Sequence, residues 1–236
     1  MRSRKEIVEG YDTFWESSAK LADDWANLPI SMRHRAVKAI PSEITEILDL
    51  GCGNGQALKV MAHKQIQLYG IDISRRALSV AKKYADVIQA DMSSLPIHDG
   101  KFRCILMLDV FEHVQEKRIV IEELHRTLAE SGIVIMTTPQ PRATGGLGDD
   151  RQPYDKPMDL QHIVEISSDL FKIEGYIGCA WLPFFWPLEY LIPLPVGFAL
   201  FKFLPKMVRR SDFILLILRK KKGACASPRK SHRDGM

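Results

Sequence analysis

The chain has 236 residues, 46% hydrophobic and 26% charged, which suffices for one α/β domain with a full core and is short for two. Residues 219–236 contain seven Lys or Arg and one Asp, a net charge of +6, whereas the whole chain has a net charge of +4. Residues 1–218 therefore have a net charge of −2, and a basic nucleic-acid groove on this part of the chain is not expected. The four cysteines are widely spaced without a C-x-x-C pair, which argues against a zinc module or a disulfide scaffold.

The N-terminal segment is charged over residues 1–6 and has no apolar stretch behind it, so a secretory signal is not expected and the cytosol is the expected compartment. Residues 5–40 have a helical pattern that Pro29 and Pro41 punctuate. This pattern predicts a separate N-terminal helical segment over residues 1–40.

From Ile44 onward, short apolar runs alternate with amphipathic stretches. The predicted strands are 47–50, 68–71, 87–88, 104–108, 133–136, 171–177 and 213–219. Four helices are predicted between these strands. The first follows a glycine turn and ends at about His63, and the second begins after a cap at Ser74. The third spans residues 116–129, and the fourth begins at about Ser167. A turn at Ser131-Gly132 is expected before the fifth strand. The alternation predicts an α/β fold with a doubly wound, mostly parallel seven-stranded sheet.

A glycine-rich loop lies between the first predicted strand and the helix after it: Asp49-Leu-Gly51-Cys52-Gly53-Asn-Gly55. The chain must turn sharply there, and residues without a β-carbon let a ligand approach the backbone near a helix N-terminus. Asp72 ends the second strand, where an acidic side chain can accept hydrogen bonds from both hydroxyls of a ribose. These two features fit either a nicotinamide dinucleotide or an adenosyl cofactor.

Acidic residues also end the next two strands, as Asp91-Met92 and as Asp109-Val-Phe-Glu112-His113. With these segments the sequence resembles the class I S-adenosylmethionine-dependent methyltransferases, in particular the small-molecule branch with the ubiquinone and menaquinone enzymes. The resemblance implies a cofactor site for S-adenosylmethionine. Its expected residues are Asp49, Gly51, Cys52, Gly53, Gly55, Asp72, Ile73, Asp91, Met92 and Asp109.

Within that resemblance, the glycine loop holds the methionine part of the cofactor, Asp72-Ile73 the ribose, and Asp91-Met92 the adenine. An NAD(P)-dependent oxidoreductase is the main alternative on the same scaffold, although it would favour G-x-G-x-x-G over the spacing of Gly51, Gly53 and Gly55. An RNA methyltransferase and a non-catalytic adenosyl-binding module are further alternatives.

Catalysis of methyl transfer needs a general base only when the acceptor carries a proton. His113 is the candidate base because it follows strand four at the cofactor end of the sheet. His162 is a weaker catalytic candidate that could face the acceptor, and a buried orienting role is the alternative. Glu112 is expected to be structural or to position the cofactor. No metal is expected, because adjacent residues such as Glu112 and His113 rarely bind one ion.

The predicted domain organisation has three parts: an N-terminal helical lid over 1–40, a methyltransferase domain over 41–219, and a basic disordered tail over 220–236. The resemblance implies the lid, whose aromatic residues Tyr11, Phe14 and Trp15 either cover the cofactor or pack on the sheet. Within an apolar insertion at about 181–210, the prolines at 183, 187, 193 and 195 disfavour a membrane-spanning helix. It either covers an acceptor site or lies at a membrane surface, and both readings favour a small-molecule or lipid-linked acceptor.

Overall fold

The computed structural model describes residues 3–18, 32–63, 65–141, 154–179, 195–196 and 213–224. The helices are α1 (Arg4–Ser18), α2 (Met32–Lys38), α3 (Gln56–Met61), α4 (Arg75–Ala81), a 3-10 turn (Phe111–His113), α5 (Lys117–Thr127) and α6 (Leu160–Ser167). The strands are β1 (Glu46–Leu50), β2 (Gln67–Asp72), β3 (Asp86–Gln89), β4 (Phe102–Leu108), β5 (Leu128–Pro139), β6 (Phe171–Cys179) and β7 (Phe213–Lys220).

The seven strands form one sheet in the order β3-β2-β1-β4-β5-β7-β6. β7 pairs antiparallel with both β5 and β6, and the pairs among β1 to β5 are parallel. The predicted α/β fold with a mostly parallel seven-stranded sheet is therefore confirmed. This topology brings the carboxyl ends of β1 to β4 to one edge, where open α/β sheets bind ligands.

Alternate residues along the central strands enter two separate hydrophobic clusters, one on each face of the sheet. On β4, Ile105 and Met107 pack in the cluster that includes residues of α5 and α6, whereas Leu106 packs in the cluster that includes residues of α2, α3 and α4. This follows from the two-residue period of a strand, and it explains why β4 is an unbroken apolar run.

The structure corrects two expectations about local elements. The helix expected from about Ser167 instead ends there: it begins at Leu160, because the side chain of Asp159 accepts a hydrogen bond from the amide of His162 and caps it. The expected turn at Ser131-Gly132 lies inside β5, where Ser131 has a φ of 61° and the pairing with β4 shifts register. An irregularity in a continuous strand replaces the turn.

The tail also begins later than the expected boundary at residue 220. Lys220 is the last residue of β7, and its Nζ donates to the carbonyl of Leu128 at 2.8 Å. The amide of Lys221 donates to the carbonyl of Leu170 at 2.9 Å. The rest of the tail and the apolar insertion, apart from the exposed residues 195–196, lie outside the described residues.

Candidate cofactor and acceptor site

The predicted cofactor residues lie along one edge of the sheet, in the order in which their strands are arranged. Asp91 follows β3, Asp72 ends β2, the glycine loop follows β1, and Asp109 follows β4. An elongated ligand at this edge would meet the four segments in that order. The edge therefore brings together segments that are as much as 60 residues apart in the chain.

Two glycines of the loop are required by their backbone angles and by close neighbours. Gly51 has a φ of 76°, and a β-carbon there would lie 2.6 Å from the side chain of Val110. Gly53 has a φ of 53°, and a β-carbon there would lie 2.4 Å from the indole of Trp15. The third glycine, Gly55, immediately precedes α3. The loop is thus a tight turn enclosed by the segment after β4 and by α1.

The loop amides bond within the protein. The amides of Gly51 and Cys52 both donate to the carbonyl of Ile71, and that of Gly53 donates to Oδ2 of Asp72 at 2.8 Å. The amide of Gly55 donates to the carbonyl of Cys52 at 2.9 Å. Close approach of a ligand to the glycines stays a prediction, and these four amides are already engaged as donors within the protein.

Asp72 is buried and holds the loop to the start of α4. Its Oδ1 accepts from the amide of Ser74 and its Oδ2 from the amide of Gly53, both at 2.8 Å. Burial raises the pKa of Asp72, and these amide hydrogen bonds counteract the rise. A carboxylate oxygen has two lone pairs, so each oxygen can accept a further hydrogen bond from a ribose hydroxyl.

Asp49 and Cys52 lie deeper under the loop and are both buried. Burial raises the pKa of Asp49 to about 7, and the nearby guanidinium of Arg33 partly opposes this effect. Burial also raises the pKa of the Cys52 thiol, which is therefore protonated and packs as a small apolar group. These side chains support the loop from below.

The segment after β3 places Asp91 and Met92 beside the ribose acid. Oδ1 of Asp91 accepts from the amide of Ser93 at 2.9 Å and from its hydroxyl at 2.7 Å. Met92 is partly buried against the core. The carbonyl of Ile73 accepts from Nε2 of Gln89 at 2.9 Å, which ties the ends of β2 and β3 together.

Asp109 has a φ of 56°, a left-handed conformation that is uncommon for a residue with a side chain. Thr137 holds it there: the Thr137 hydroxyl donates to Oδ1 of Asp109 at 2.8 Å, and the Asp109 amide donates to the Thr137 carbonyl at 2.9 Å. Local strain of this kind persists where the surroundings enforce it, often at functional sites. The aspartate side chain is therefore fixed at the end of β4.

Arg33 of α2 is a site residue that the sequence analysis missed. Its Nη2 lies 3.6 Å from Oδ2 of Asp109, and its Nη1 donates to Oε1 of Gln56 at the start of α3. The two partners lie 23 and 76 residues further along the chain, so nothing in the local sequence pattern signals the contact. Arg33 brings a positive charge to the methionine end predicted for the cofactor.

Glu112 and His113 belong to the 3-10 turn after β4, and Nε2 of His113 lies 3.7 Å from Oε1 of Glu112. Oε2 of Glu112 accepts from the Thr138 hydroxyl at 2.9 Å; burial, followed by the charge of Asp109, raises the pKa of Glu112 well above its usual range. Nδ1 of His113 lies 2.8 Å from the carbonyl of Tyr154, which can only accept, so Nδ1 carries the proton and Nε2 the lone pair. Burial lowers the pKa of His113, so its ring is neutral near pH 7.

Residues 154–156 cross over this turn and fix it. The amide of Lys156 donates to the carbonyl of Glu112 at 2.9 Å. Nζ of Lys117 donates to the carbonyl of Val114 at 2.7 Å and lies over the rings of Phe111 and Tyr154, with a pKa that burial lowers to about 8. This crossing segment gives His113 one orientation.

His162 differs from its expected surroundings. Its side chain is 64% exposed, and its Nδ1 lies 2.8 Å from Oδ1 of Asp159. A buried orienting role is therefore wrong, because the ring lies at the surface of α6 beside its own capping residue. A role in contacting the acceptor stays a prediction.

The N-terminal helix α1 contacts the segments after each of the first four strands. Trp15 lies on Gly53, Oδ1 of Asp12 accepts from the Ser74 hydroxyl at 2.5 Å, Arg4 lies 3.7 Å from Asp91, and the rings of Tyr11 and His113 meet edge to face at 6.4 Å. The third aromatic residue, Phe14, packs on Trp15. One helix therefore touches the whole length of the candidate site.

Neither a metal-binding cluster nor a helix able to span a membrane occurs among the described residues. They contain no group of three or more His, Cys, Asp or Glu side chains placed to hold a metal ion. None of their helices has both the length and the apolar character needed to cross a bilayer.

The fold and the site geometry define a methyltransferase-type α/β domain, and comparison with known proteins gives the same class. Residues 48–136 match the family described as "Methyltransferase domain". Residues 48–136 therefore match a methyltransferase domain, and the resemblance to S-adenosylmethionine-dependent methyltransferases found in the sequence is confirmed. The methyl donor of this class is S-adenosylmethionine, so the nicotinamide alternative is set aside.

The similar proteins carry the same description. A probable S-adenosylmethionine-dependent methyltransferase of Mycobacterium tuberculosis is 28% identical over 127 residues, which cover 52% of this chain and 44% of that protein. A ubiquinone biosynthesis O-methyltransferase of Bartonella quintana is 31% identical over 111 residues, 43% of this chain and 44% of that protein. The chain thus aligns with under half the length of each of these two relatives.

A solved structure described as a SAM-dependent methyltransferase from Archaeoglobus fulgidus has the same fold. It superposes with a TM-score of 0.65 over 89% of this chain and 100% of that chain, at 17% sequence identity.

Proposed function

We propose that this protein is an enzyme that transfers a methyl group from S-adenosylmethionine to a small or lipid-like acceptor. The observation that carries the proposal is the order of groups along the sheet edge: Asp91, Asp72, the glycine loop and Asp109 follow the strand order β3, β2, β1 and β4. Hydrogen-bond acceptors for a base and a ribose lie at one end. A charged pair for an amino acid lies at the other.

The residues present fit such a donor. The turn at Gly51 and Gly53 has no room for a β-carbon, and the carboxylate of Asp72 retains lone pairs for hydroxyl donors. When bound, the donor supplies a methyl group that its sulfonium charge already activates. The protein's main contribution is then to hold the reacting groups in line, which is worth up to about 7–11 kcal/mol in favourable model reactions.

His113 is proposed as the base that accepts the acceptor's proton. With Nδ1 bonded to the Tyr154 carbonyl, the basic lone pair is on Nε2, and the lowered pKa keeps that nitrogen unprotonated near neutrality. This role applies to a hydroxyl or another protonated acceptor. We retain the weaker proposal that His162 contacts the acceptor.

The lipid-like part of the proposal rests on composition. Between Glu174 and Lys202 the only charged residue is Glu189, and four prolines and several aromatic residues occur in the same stretch. Such a segment favours an apolar acceptor, either by covering the acceptor site or by lying on a membrane surface of the cytosol. An RNA acceptor would favour a basic body, and residues 1–218 have a net charge of −2.

Three experiments test the proposal. Calorimetry should show that S-adenosylmethionine and S-adenosylhomocysteine bind and that NAD does not. If neither adenosyl ligand bound, the proposed function would be overturned. Incubation of a cell extract with labelled donor, followed by separation of lipid, small-molecule and RNA fractions, should place the label in one of the first two. Label confined to RNA would overturn the acceptor class. Flotation with liposomes then separates membrane contact from a soluble acceptor.

A further inference from the structure

We infer that Lys117 is a positioning residue for the proposed base. Its ammonium group holds Tyr154 against the turn after β4, and the Tyr154 carbonyl in turn fixes which ring nitrogen of His113 carries the proton. This inference rests on the proposed function, because it assigns Lys117 a part in the reaction only through His113.

Lys117 occupies a place that is electrostatically unfavourable for a cation. The residue is only 8% exposed, and it is the first residue of α5, where the helix dipole disfavours positive charge. Burial lowers the pKa of its ammonium group to about 8. A buried charge is tolerated where neighbouring groups replace the water that it has lost. The contacts of Nζ therefore show what this charge does in the fold.

The ammonium group contacts both the turn and the segment that crosses it. Nζ donates to the carbonyl of Val114, at the end of the 3-10 turn, at 2.7 Å. It also lies 5.5 Å from the ring centre of Phe111 and 5.3 Å from that of Tyr154, and both distances are within the range of a cation–π contact. The Phe111 ring is fully buried. The cation thus joins Tyr154 to a fixed part of the core.

Tyr154 is also the residue that orients His113. Its carbonyl accepts a hydrogen bond from Nδ1 of His113 at 2.8 Å. This bond keeps the proton on Nδ1 and leaves the lone pair that a base needs on Nε2. If Tyr154 moved away, the ring could turn and could carry its proton on Nε2 instead. The proposed path therefore runs from the ammonium group to the Tyr154 ring, and from the Tyr154 carbonyl to Nδ1.

The hold on Tyr154 depends on the charge of Lys117, so it should weaken as that charge is lost. The titratable neighbours of Lys117 are Glu112 and His113 in the turn, and Asp155 and Lys156 in the crossing segment. Burial is the main cause of the lowered pKa of Lys117; the two carboxyl groups oppose it and the second lysine adds to it. Above about pH 8 the side chain becomes a neutral amine, which makes no cation–π contact.

Nuclear magnetic resonance of the histidine rings tests the inference without any substrate. Long-range proton–nitrogen spectra of protein with labelled histidines show which ring nitrogen carries the proton, and the His113→Gln variant identifies the His113 signals. The wild type should have the Nδ1–H form near pH 7. Lys117→Met keeps an unbranched side chain without the charge. It should shift the tautomer ratio toward Nε2–H by about fivefold or more, consistent with the loss of one hydrogen bond.

Two further variants test the path. Tyr154→Leu removes the ring but keeps the carbonyl, so it should shift the ratio as Lys117→Met does, and the double variant should show little further change. Lys156→Met is the matched control, because it removes an exposed cation from the crossing segment while the backbone bond to Glu112 remains. It should keep the wild-type tautomer.

A pH titration gives a second readout that does not depend on the folding of Lys117→Met, which circular dichroism checks. The wild type should lose its preference for the Nδ1–H form as the pH rises above about 8, because Lys117 loses its charge. Lys117→Arg keeps a cation over this range and should retain the preference for longer. Glu112 titrates in both proteins, so the difference between them reports on Lys117.

An unchanged tautomer ratio in Lys117→Met, an equal shift in Lys156→Met, or a wild type that keeps the Nδ1–H form up to about pH 10 would each overturn the inference. Transfer of labelled methyl groups should fall by about 10- to 100-fold in Lys117→Met, because a displaced base is less effective. Affinity for S-adenosylhomocysteine should stay within about twofold. An unchanged transfer rate would also overturn the inference and leave the proposed function intact. A wild-type protein that binds neither adenosyl ligand would instead overturn the proposed function, and with it the reaction that Lys117 is inferred to serve.

Discussion

The indole of Trp15 lies against Gly53, so closely that a β-carbon on the glycine would lie 2.4 Å from Cζ2 of the indole. Gly53 also has a φ of 53°, where a side chain adds roughly 1–2 kcal/mol of strain. The contact joins the N-terminal helix to the centre of the candidate cofactor loop. Because of this contact, the loop cannot move unless the helix moves as well.

The substitution Gly53→Ala should therefore reduce affinity for S-adenosylhomocysteine by at least about tenfold, because Trp15 or the loop must move. Isothermal titration calorimetry measures the change. Gly100→Ala is the control: its φ of 66° imposes similar strain, but the nearest atom to a new β-carbon is 3.9 Å away. Equal loss of affinity in both variants would argue that backbone strain alone is responsible.

The role of α1 as a lid can be tested at Asp12. Its Oδ1 accepts from the Ser74 hydroxyl and from the amide of Arg76, so it attaches α1 to the start of α4. Asp12→Ala should weaken S-adenosylhomocysteine binding about five- to tenfold, consistent with the loss of one to two hydrogen bonds. Glu9→Ala on the same helix removes an exposed carboxylate with a weak contact to Lys5 and should have no effect. Unchanged affinity of Asp12→Ala would contradict the lid proposal.

The proposed base predicts a specific pH dependence. Because burial lowers the pKa of His113, the rate constant kcat should fall toward acidic pH with a midpoint below that of an ordinary histidine. His113→Gln should lower kcat by about 10²- to 10⁴-fold and remove this acidic limb, with S-adenosylhomocysteine affinity preserved. His98→Gln, at an exposed histidine, serves as the control. A retained acidic limb in His113→Gln would assign it to another group.

Glu112 predicts how stability varies with pH. Burial raises the pKa of Glu112 to about 8, so above about pH 4.5 the native state holds a proton that the unfolded state has released. Between these two pH values the carboxyl group therefore lowers the free energy of unfolding as the pH rises. Glu112→Gln keeps an oxygen for the Thr138 hydroxyl and removes the titration. Relative to the wild type, it should gain up to about 1.4 kcal/mol per pH unit between pH 5 and 7.5.

Urea unfolding at several pH values measures this difference, and the contribution of Asp49 cancels because both proteins contain it. The charge of Glu112 acts on the pKa of Lys117, which burial lowers to about 8, so Lys117 titrates differently in the two proteins and the comparison is limited to pH values below 8. Glu165→Gln, at an exposed glutamate, should show no pH-dependent gain. A constant difference between wild type and Glu112→Gln would mean that Glu112 is ionised in the folded protein.

The sheet and the order of the acidic residues were predictable from the sequence because they depend on local patterns. The apolar run before Asp109 and the glycines at 51, 53 and 55 carry their own signals. The start of α6 was also within reach, since Asp159 three residues before His162 is an N-cap signal.

Contacts between distant segments were not predictable from such patterns. The proximity of Arg33 to Asp109 depends on how α2 packs on the sheet, and the proton position on His113 depends on the carbonyl of Tyr154, 41 residues away. The engagement of the loop amides depends on the carbonyl of Ile71 in the neighbouring strand. These features are set by tertiary packing.

The contacts of α1 with all four strand ends have a kinetic consequence. If the donor lies beneath this helix, neither it nor the spent product can exchange until Asp12, Trp15 and their neighbours separate from the sheet edge. Helix undocking would then limit turnover, with a burst of methylated acceptor in the first cycle and strong inhibition by S-adenosylhomocysteine. An enzyme built in this way would respond to the ratio of donor to product in the cell more than to the amount of acceptor.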